Sequence, residues 1–205
     1  MESIILASAS PRRRELLESV GIPFIIRSSE VDESLRDDLE PAERVVALAI
    51  DKARAGETLA QGLPPRLVLG ADTLVCLPDE AGKGVEIALG KPKDEDEALE
   101  MMRLLAGRTH IVRTGLALLD RVSGKLCVAR SDSRVSFAGM SDVEIKAYLA
   151  GGEWRGAAGA YRIQGTAAFF IDKLDGSWSG VVGLPLRELY GILKEADFRI
   201  PPMVA

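Results

Sequence analysis

The sequence predicts an α/β protein built on a mixed β-sheet flanked by helices. Three observations carry that expectation. Between Ile4 and Leu105, short apolar runs of strand length alternate with segments of helical period. One of those runs, Arg66 to Leu77, is almost unbroken in apolar character, as a strand buried on both faces would be. From Thr109 the period changes, and His110 to Leu119 and Lys125 to Phe137 read as strands joined by an Asp120-to-Gly124 turn.

Each element follows from local chemistry. Ile4 to Ala7 is a short apolar run and reads as the first strand. Ser10 suits an N-cap and Pro11 the first helical turn, Leu16, Leu17 and Val20 form the apolar side, and Gly21 ends the helix. Phe24 to Ile26 is a second strand, and the acidic stretch Ser28 to Asp38 a loop. Pro41 opens a helix to about Gln61, with Val45, Leu48, Ala49 and Ala53 as its stripe. Pro78 to Gly84 reads as a turn, and Asp94 to Leu105 as a helix with Leu99, Met102 and Leu105 inward. Ser141 caps a short helix to about Leu149. Gly151 to Gly165 holds five glycines, too many for a regular element. Ala167 to Ile171 reads as a strand, Asp175 to Gly180 as a turn, and Leu186 to Ala196 as a final helix.

Composition narrows the function classes. The chain has 205 residues, with 26 Lys+Arg against 31 Asp+Glu and a net charge of −5. That length suits one domain over residues 1–205, with room for two lobes around a central cleft. An acidic balance with 5% aromatics argues against bulk nucleic acid as a partner. The cysteines, Cys76 and Cys127, make neither a disulfide framework nor a zinc cluster, and the single histidine, His110, excludes a multi-histidine centre. No apolar run approaches a membrane span and no leader is legible, so the cytoplasm is the expected location.

Several residues stand out chemically. Ser8-Ala9-Ser10-Pro11-Arg12-Arg13 leads a strand into a helix N-terminus, which with two hydroxyls and the arginines makes an anion site suited to phosphates. Asp72 interrupts the most hydrophobic segment of the chain, where a carboxylate is costly unless paired, metal-bound or kept for chemistry. At the C-terminal end of its strand it would face a ligand crevice. Lys52 lies in line with an apolar stripe and either snorkels or reaches a buried anion, snorkelling being the default. Asp32, Glu33 and Glu153 are loop carboxylates of the kind that ligate Mg²⁺ beside substrate phosphates. His110, at the start of an apolar strand, reads as structural. Several cations, a few carboxylates and glycine-rich backbone together fit a polyphosphate substrate with a divalent metal. There is neither a Walker loop nor a Rossmann fingerprint.

These motifs, in this order, resemble the Maf family of nucleoside triphosphate pyrophosphatases, also called septum formation inhibitors. The resemblance rests on Ser8 to Arg13 with Glu15-Leu16-Leu17, Val31-Asp32-Glu33, Asp51-Lys52-Ala53, Gly70-Ala71-Asp72-Thr73-Leu74-Val75 and Gly90-Lys91-Pro92. It continues through Ala106-Gly107-Arg108-Thr109-His110, Gly159-Ala160-Tyr161-Arg162-Ile163-Gln164-Gly165 and Gly180 to Leu186, nearly the whole chain. It implies an elongated, inosine-triphosphatase-like α/β fold, often dimeric. It also implies hydrolysis of a nucleoside triphosphate to the monophosphate and pyrophosphate with Mg²⁺ or Mn²⁺, a house-cleaning role for the nucleotide pool. It makes Asp72 the proton acceptor and adds Glu33 to the pocket, and the expected metal is held partly by Glu33 or Asp72. Arg12, Thr73 and Gln164 become specificity positions, and Ser8, Arg13, Lys52 and Lys91 pocket residues. Thr73 with Gln164 looks like the dTTP/UTP branch, with modified pyrimidine nucleotides as further substrates. Where many members carry Asp-Lys-Ala-Gly before the tyrosine, this chain has Gly156-Ala157-Ala158-Gly159. The competing expectation is a nucleotide-binding regulator of cell division with little catalysis.

Overall fold

The computed structural model describes residues 2–28, 31–78 and 86–200. Its strands are β1 (Ile4–Leu6), β2 (Phe24–Ile26), β3 (Leu67–Leu77), β4 (Ile87–Leu89), β5 (Thr109–Asp120), β6 (Leu126–Phe137) and β7 (Ile171–Asp175). Its helices are α1 (Pro11–Ser19), α2 (Pro41–Thr58), α3 (Glu95–Leu105), α4 (Asp142–Ala150), α5 (Trp178–Val182) and α6 (Leu186–Glu195). One seven-stranded sheet runs in the order β2-β1-β3-β5-β6-β7, with β4 paired to β3. The mixed α/β expectation holds.

The chain divides into two compact units. The first takes Met1–Asp72, Thr114–Ser131 and Gly183–Ala205, and the second Thr73–Arg113 and Asp132–Val182. In the first unit β1 lies parallel to both β2 and β3, with Ile4 opposite Phe24 and Leu67. All of Ile4 to Leu6 is buried, because a central parallel strand has both faces covered. The α2 stripe of Val45, Leu48, Ala49 and Ala53 is fully buried, as its spacing predicts. Ile5, Ala7, Ala49, Ala53, Val68 and Ala117 share one core cluster. The small residues let the α2 backbone come close to the sheet. A Cβ on Gly70 would stand 2.1 Å from the Ala49 carbonyl oxygen, and one on Gly115 2.3 Å from that of Val45.

In the second unit β4 and β7 pair antiparallel with β3 and β6, Val75 facing Leu89 and Arg134 facing Asp175. A capping box starts α4, in which Ser141 and Glu144 satisfy each other's backbone N–H groups. Asp94 caps α3 by accepting from Glu97 N at 2.9 Å. Arg113 donates to both oxygens of Glu86 and pairs with Asp132, which satisfies a largely buried guanidinium.

Some local expectations change. The helix that Pro41 opens ends at Thr58, not near Gln61. The Ser28-to-Asp38 loop contains a 3₁₀ turn, Glu33–Arg36, which Asp32 caps. The buried side of α3 is Ala98, Met101, Met102 and Leu105, with Leu99 only half-buried, so the face is turned by about one residue. Ser10 sits at the N-cap of α1, but its side chain makes no capping bond. Of the expected strand Ala167 to Ile171, all but the last residue lies in a 3₁₀ turn, Thr166–Phe170, and β7 starts only at Ile171. A short apolar run cannot tell these apart. Here Ala168 N donates to Gly165 O at 3.0 Å and Phe169 is 86% exposed, while Ala167 is fully buried, so the run does not present the alternating face of a strand. The expected Asp175-to-Gly180 turn gives way to the end of β7 and the start of α5. Of the expected Pro78-to-Gly84 turn, all but Pro78 lies outside the described residues. Among the described residues no helix is long and apolar enough to cross a membrane.

Candidate active site

The first unit gathers Ser8, Arg12, Arg13, Glu33, Lys52 and Asp72. Asp72 is the sixth residue of the eleven in β3. It therefore does not end its own strand, as the sequence suggested. The β1 partners of β3 stop at Leu69 and the β4 partners begin at Val75, so Asp72 stands between the two pairings. The strand that ends beside it is β1, whose chain leads on through Ser8 into α1.

Lys52 does not snorkel. Its Nζ donates to Asp72 Oδ1 at 2.5 Å and to Glu33 Oε1 at 2.8 Å. The Lys52 side chain is 13% exposed and that of Asp72 6%, so this pair is held largely out of water. Two α2 features set it up. The Ala49–Ala53 face lets the helix lie against β3, and Lys52 falls on the same side within that turn. Asp72 Oδ2 is buried with no hydrogen-bond partner among the described residues. A buried carboxylate oxygen left this way is costly and marks a place for a water, an ion or a substrate group.

Arg13 is the second buried cation. Its Nε donates to Gly183 O at 2.8 Å and its Nη1 to Ser8 Oγ at 3.0 Å. Burial pushes its guanidinium below the ordinary arginine value, against the opposing pull of Asp72 and Glu33. Those influences tie the Ser8–Arg13 cluster electrostatically to the Lys52–Asp72 pair. Arg12, half-buried, adds a third positive charge. Three cations against two carboxylates leave this group suited to anions.

Glu33 is placed by residues that sequence reasoning passed over. Arg36 grips both Asp51 oxygens at 2.8 and 3.0 Å, and Arg44 pairs with Asp37 and donates to Glu33 O at 3.4 Å. These contacts bind the Glu33–Arg36 turn to α2 one residue from Lys52. No sequence spacing announces them, because the partners come from different elements. The other loop carboxylates are committed elsewhere. Asp32 accepts from Ser34 N at 3.0 Å and Ser34 Oγ at 2.7 Å, and Glu153 accepts from Thr166 N at 2.9 and 3.2 Å.

The second unit carries Thr73, Lys91 and Gln164. Thr73 follows Asp72 on β3 and is half-buried, while Lys91 and Gln164 are exposed. Their loops touch, because Gly159 N donates to Gly90 O at 2.9 Å. Gly159 has φ +64, and a Cβ there would meet Val75 Cγ1 at 2.9 Å, so both conformation and close approach require glycine. His110 lies beneath this loop. It is fully buried and shares a 2.8 Å hydrogen bond with Tyr161, and its ring packs near those of Phe137 and Tyr161. This is the structural role that its position implied.

His110 gives a pH prediction. Burial pushes its imidazole down to about 4 from the ordinary 6.5. Falling pH therefore protonates the unfolded chain first. The stability due to the neutral ring is complete above pH 6.5 and is lost as pH falls toward 4. The loss should reach roughly 3 kcal/mol. Urea unfolding midpoints between pH 7 and pH 4.5 will show it as a slope that His110→Phe, with no proton to bind, lessens. An equal slope in both proteins would mean that the ring is hydrated.

The sequence profile of the family described as Maf-like protein matches residues 3–196. The chain belongs to that family. It is 46% identical over 205 residues to the dTTP/UTP pyrophosphatase of Treponema denticola, which spans 98% of this chain and 100% of that one. It is 45% identical over 200 residues to the protein of the same name in Pelotomaculum thermopropionicum, with 98% and 100% covered. The dTTP/UTP pyrophosphatase of Moorella thermoacetica is 45% identical over 193 residues, 94% of each chain. The Maf-like chain is thus similar to these relatives from end to end, and the Lys52–Asp72 pair and the Ser8–Arg13 cluster lie within the matched region.

Proposed function

We propose that this Maf-like protein is a nucleoside triphosphate pyrophosphatase that hydrolyses dTTP and UTP, and modified pyrimidine triphosphates, to the monophosphate and pyrophosphate. The observation that carries the reading is its 46% identity, end to end, to a relative named for that activity. The orphaned oxygen of Asp72 gives the chemistry a place to start.

In this reading water attacks the α-phosphorus, the bond from that phosphorus to the bridging oxygen of pyrophosphate breaks, and Asp72 Oδ2 takes the water's proton. Lys52, on Asp72 Oδ1, keeps the carboxylate oriented and balances its charge. Arg12, Arg13 and Lys91 offset negative charge on the phosphates as it moves to the leaving group. Ser8 holds Arg13 in place. Thr73 and Gln164 supply hydrogen-bonding groups for a base edge.

A divalent cation, Mg²⁺ or Mn²⁺, fits Glu33 and Asp72. Both are hard oxygen donors and they already share one cation in Lys52 Nζ. Among the described residues no group of three or more His, Cys, Asp or Glu is placed to hold a metal. An ion of the proposed kind takes one or two carboxylates and completes its shell with phosphates and water. When bound, it would neutralise phosphate charge and acidify the attacking water. We place the protein in the cytoplasm as a homodimer, acting on free nucleotides rather than nucleic acid or membranes; sedimentation of the purified chain checks the dimer.

The test is a product assay. Purified protein with Mg²⁺ and a panel of nucleoside triphosphates should give monophosphate and pyrophosphate, fastest with dTTP or UTP. Diphosphate and phosphate would move the attack to another phosphorus. Binding without turnover across the panel would leave a nucleotide-binding regulator.

A further inference from the structure

Gly165 poses a question that its own backbone does not answer. Its φ is −105°, a conformation open to any residue, so flexibility does not explain a glycine there. Space does. A Cβ on Gly165 would stand 2.0 Å from Glu153 Oε2 and 2.6 Å from its carboxyl carbon. The glycine lets the Glu153 carboxylate lie against the backbone directly after Gln164. There the carboxylate accepts from Thr166 N, through Oε2 at 2.9 Å and Oε1 at 3.2 Å. Thr166 opens the 3₁₀ turn Thr166–Phe170, whose N-cap, Gly165, has no side chain to cap it. Glu153 supplies that cap from thirteen residues upstream, with an anion at the N–H end of the turn.

The chain beside Glu153 is itself anchored. Trp154, next in the chain, is buried and donates its indole N–H to Leu149 O at 3.1 Å, and Arg155 stacks on its ring at 4.7 Å. The segment on the other side of Gln164 is equally constrained. Ala160 is held at φ +62, a left-handed conformation unfavourable for alanine. Such strain persists only where the surroundings over-determine it. Here Tyr148 Oη donates to Ala160 O at 3.2 Å and Tyr161 is hydrogen-bonded to His110. Gln164 thus stands exposed between two anchored stretches. On its C-terminal side, Glu153 is the side chain that holds the backbone.

We infer that Glu153 is a positioning residue for base selection: by seating the Gly165–Thr166 backbone it fixes the stretch that presents Gln164 to the nucleobase. This rests on the reading of Gln164 as a base-reading residue. A side chain that reads a base by hydrogen bonds discriminates only while its backbone is held, since small displacements weaken aligned polar contacts steeply. Removing the brace relaxes the choice of base and raises KM for the preferred nucleotide, while the phosphate chemistry, carried by other residues, keeps its kcat.

The experiment compares kcat and KM for dTTP, UTP, CTP and dGTP in the wild type, Gln164→Ala, Glu153→Ala, Glu153→Gln and Gly165→Ala, with thermal unfolding run on each. Glu153→Ala is expected to lower the preference for dTTP over CTP about tenfold, through KM, with kcat within about threefold. Glu153→Gln, whose amide oxygen still accepts from Thr166 N, should restore most of the preference. Gly165→Ala pushes the carboxylate away and should match Glu153→Ala, and a variant carrying both Glu153→Ala and Gly165→Ala should add little to either. If Gln164→Ala relaxes the preference while a folded Glu153→Ala keeps it, the positioning role is overturned and the reading of Gln164 stands. If Gln164→Ala leaves the preference intact, that reading falls and takes this role with it.

Discussion

Asp72→Asn is expected to lower pyrophosphate release from dTTP by about two to four orders of magnitude, the usual scale for loss of a general base. The substitution is nearly isosteric. The amide oxygen can still accept from Lys52 Nζ, which keeps Glu33 as a second partner, so the fold loses little. What disappears is the proton-accepting oxygen that the wild type buries without a partner. Nucleotide binding measured by calorimetry should survive, because Arg12, Arg13 and Lys52 remain. The net charge of the cluster becomes more positive, which favours an anionic ligand. Turnover near the wild-type level would remove Asp72 from the mechanism. Loss of binding together with turnover would mean that Asp72 holds the site together instead of acting in it.

Gly70→Ala should give a large loss of stability for a single added methyl group in this protein's first unit. The new Cβ would meet Ala49 O at 2.1 Å and Ala53 N at 2.6 Å. Both are helix backbone atoms, and neither can rotate aside. The α2 helix has to lift off β3, opening a core in which Ala49, Ala53 and Val68 are fully buried. A cost of about 3 kcal/mol or more follows from overpacking against unyielding neighbours. Lifting α2 also draws Lys52 away from Asp72, so activity should fall with stability. Gly191→Ala is the control of opposite sign. It lies within α6, where an added Cβ meets nothing within 4 Å. That exchange should stabilise the protein by roughly 0.5–1 kcal/mol, through helix propensity alone. Urea unfolding of the two variants should bracket the wild type, and a Gly70→Ala midpoint equal to that of the wild type would refute the close approach of α2 to the sheet.

The pattern of hydrophobic and polar residues was enough for the α/β class, for β3, β5 and β6, and for α2, α4 and α6. Each of these is long or capped, and each buries a face whose period is written into consecutive residues. The residues with chemical potential were also legible, Asp72 above all, because a carboxylate in an apolar strand contradicts its surroundings. Their arrangement was not legible. Lys52 looked like a snorkelling lysine, since nothing near it in the chain is a buried anion. The 20-position separation of Lys52 and Asp72 is closed only when small side chains bring α2 onto β3. The braces on Glu33 and at Gly165 are invisible in the sequence for the same reason, and the expected strand Ala167 to Ile171 proves mostly a 3₁₀ turn because a short apolar run looks alike in both. Local chemistry acts through neighbours in the chain, and residues a few positions apart are enough to specify a strand, a helix or a cap. A buried ion pair depends on which distant surfaces meet, and that is decided by the packing of the whole core.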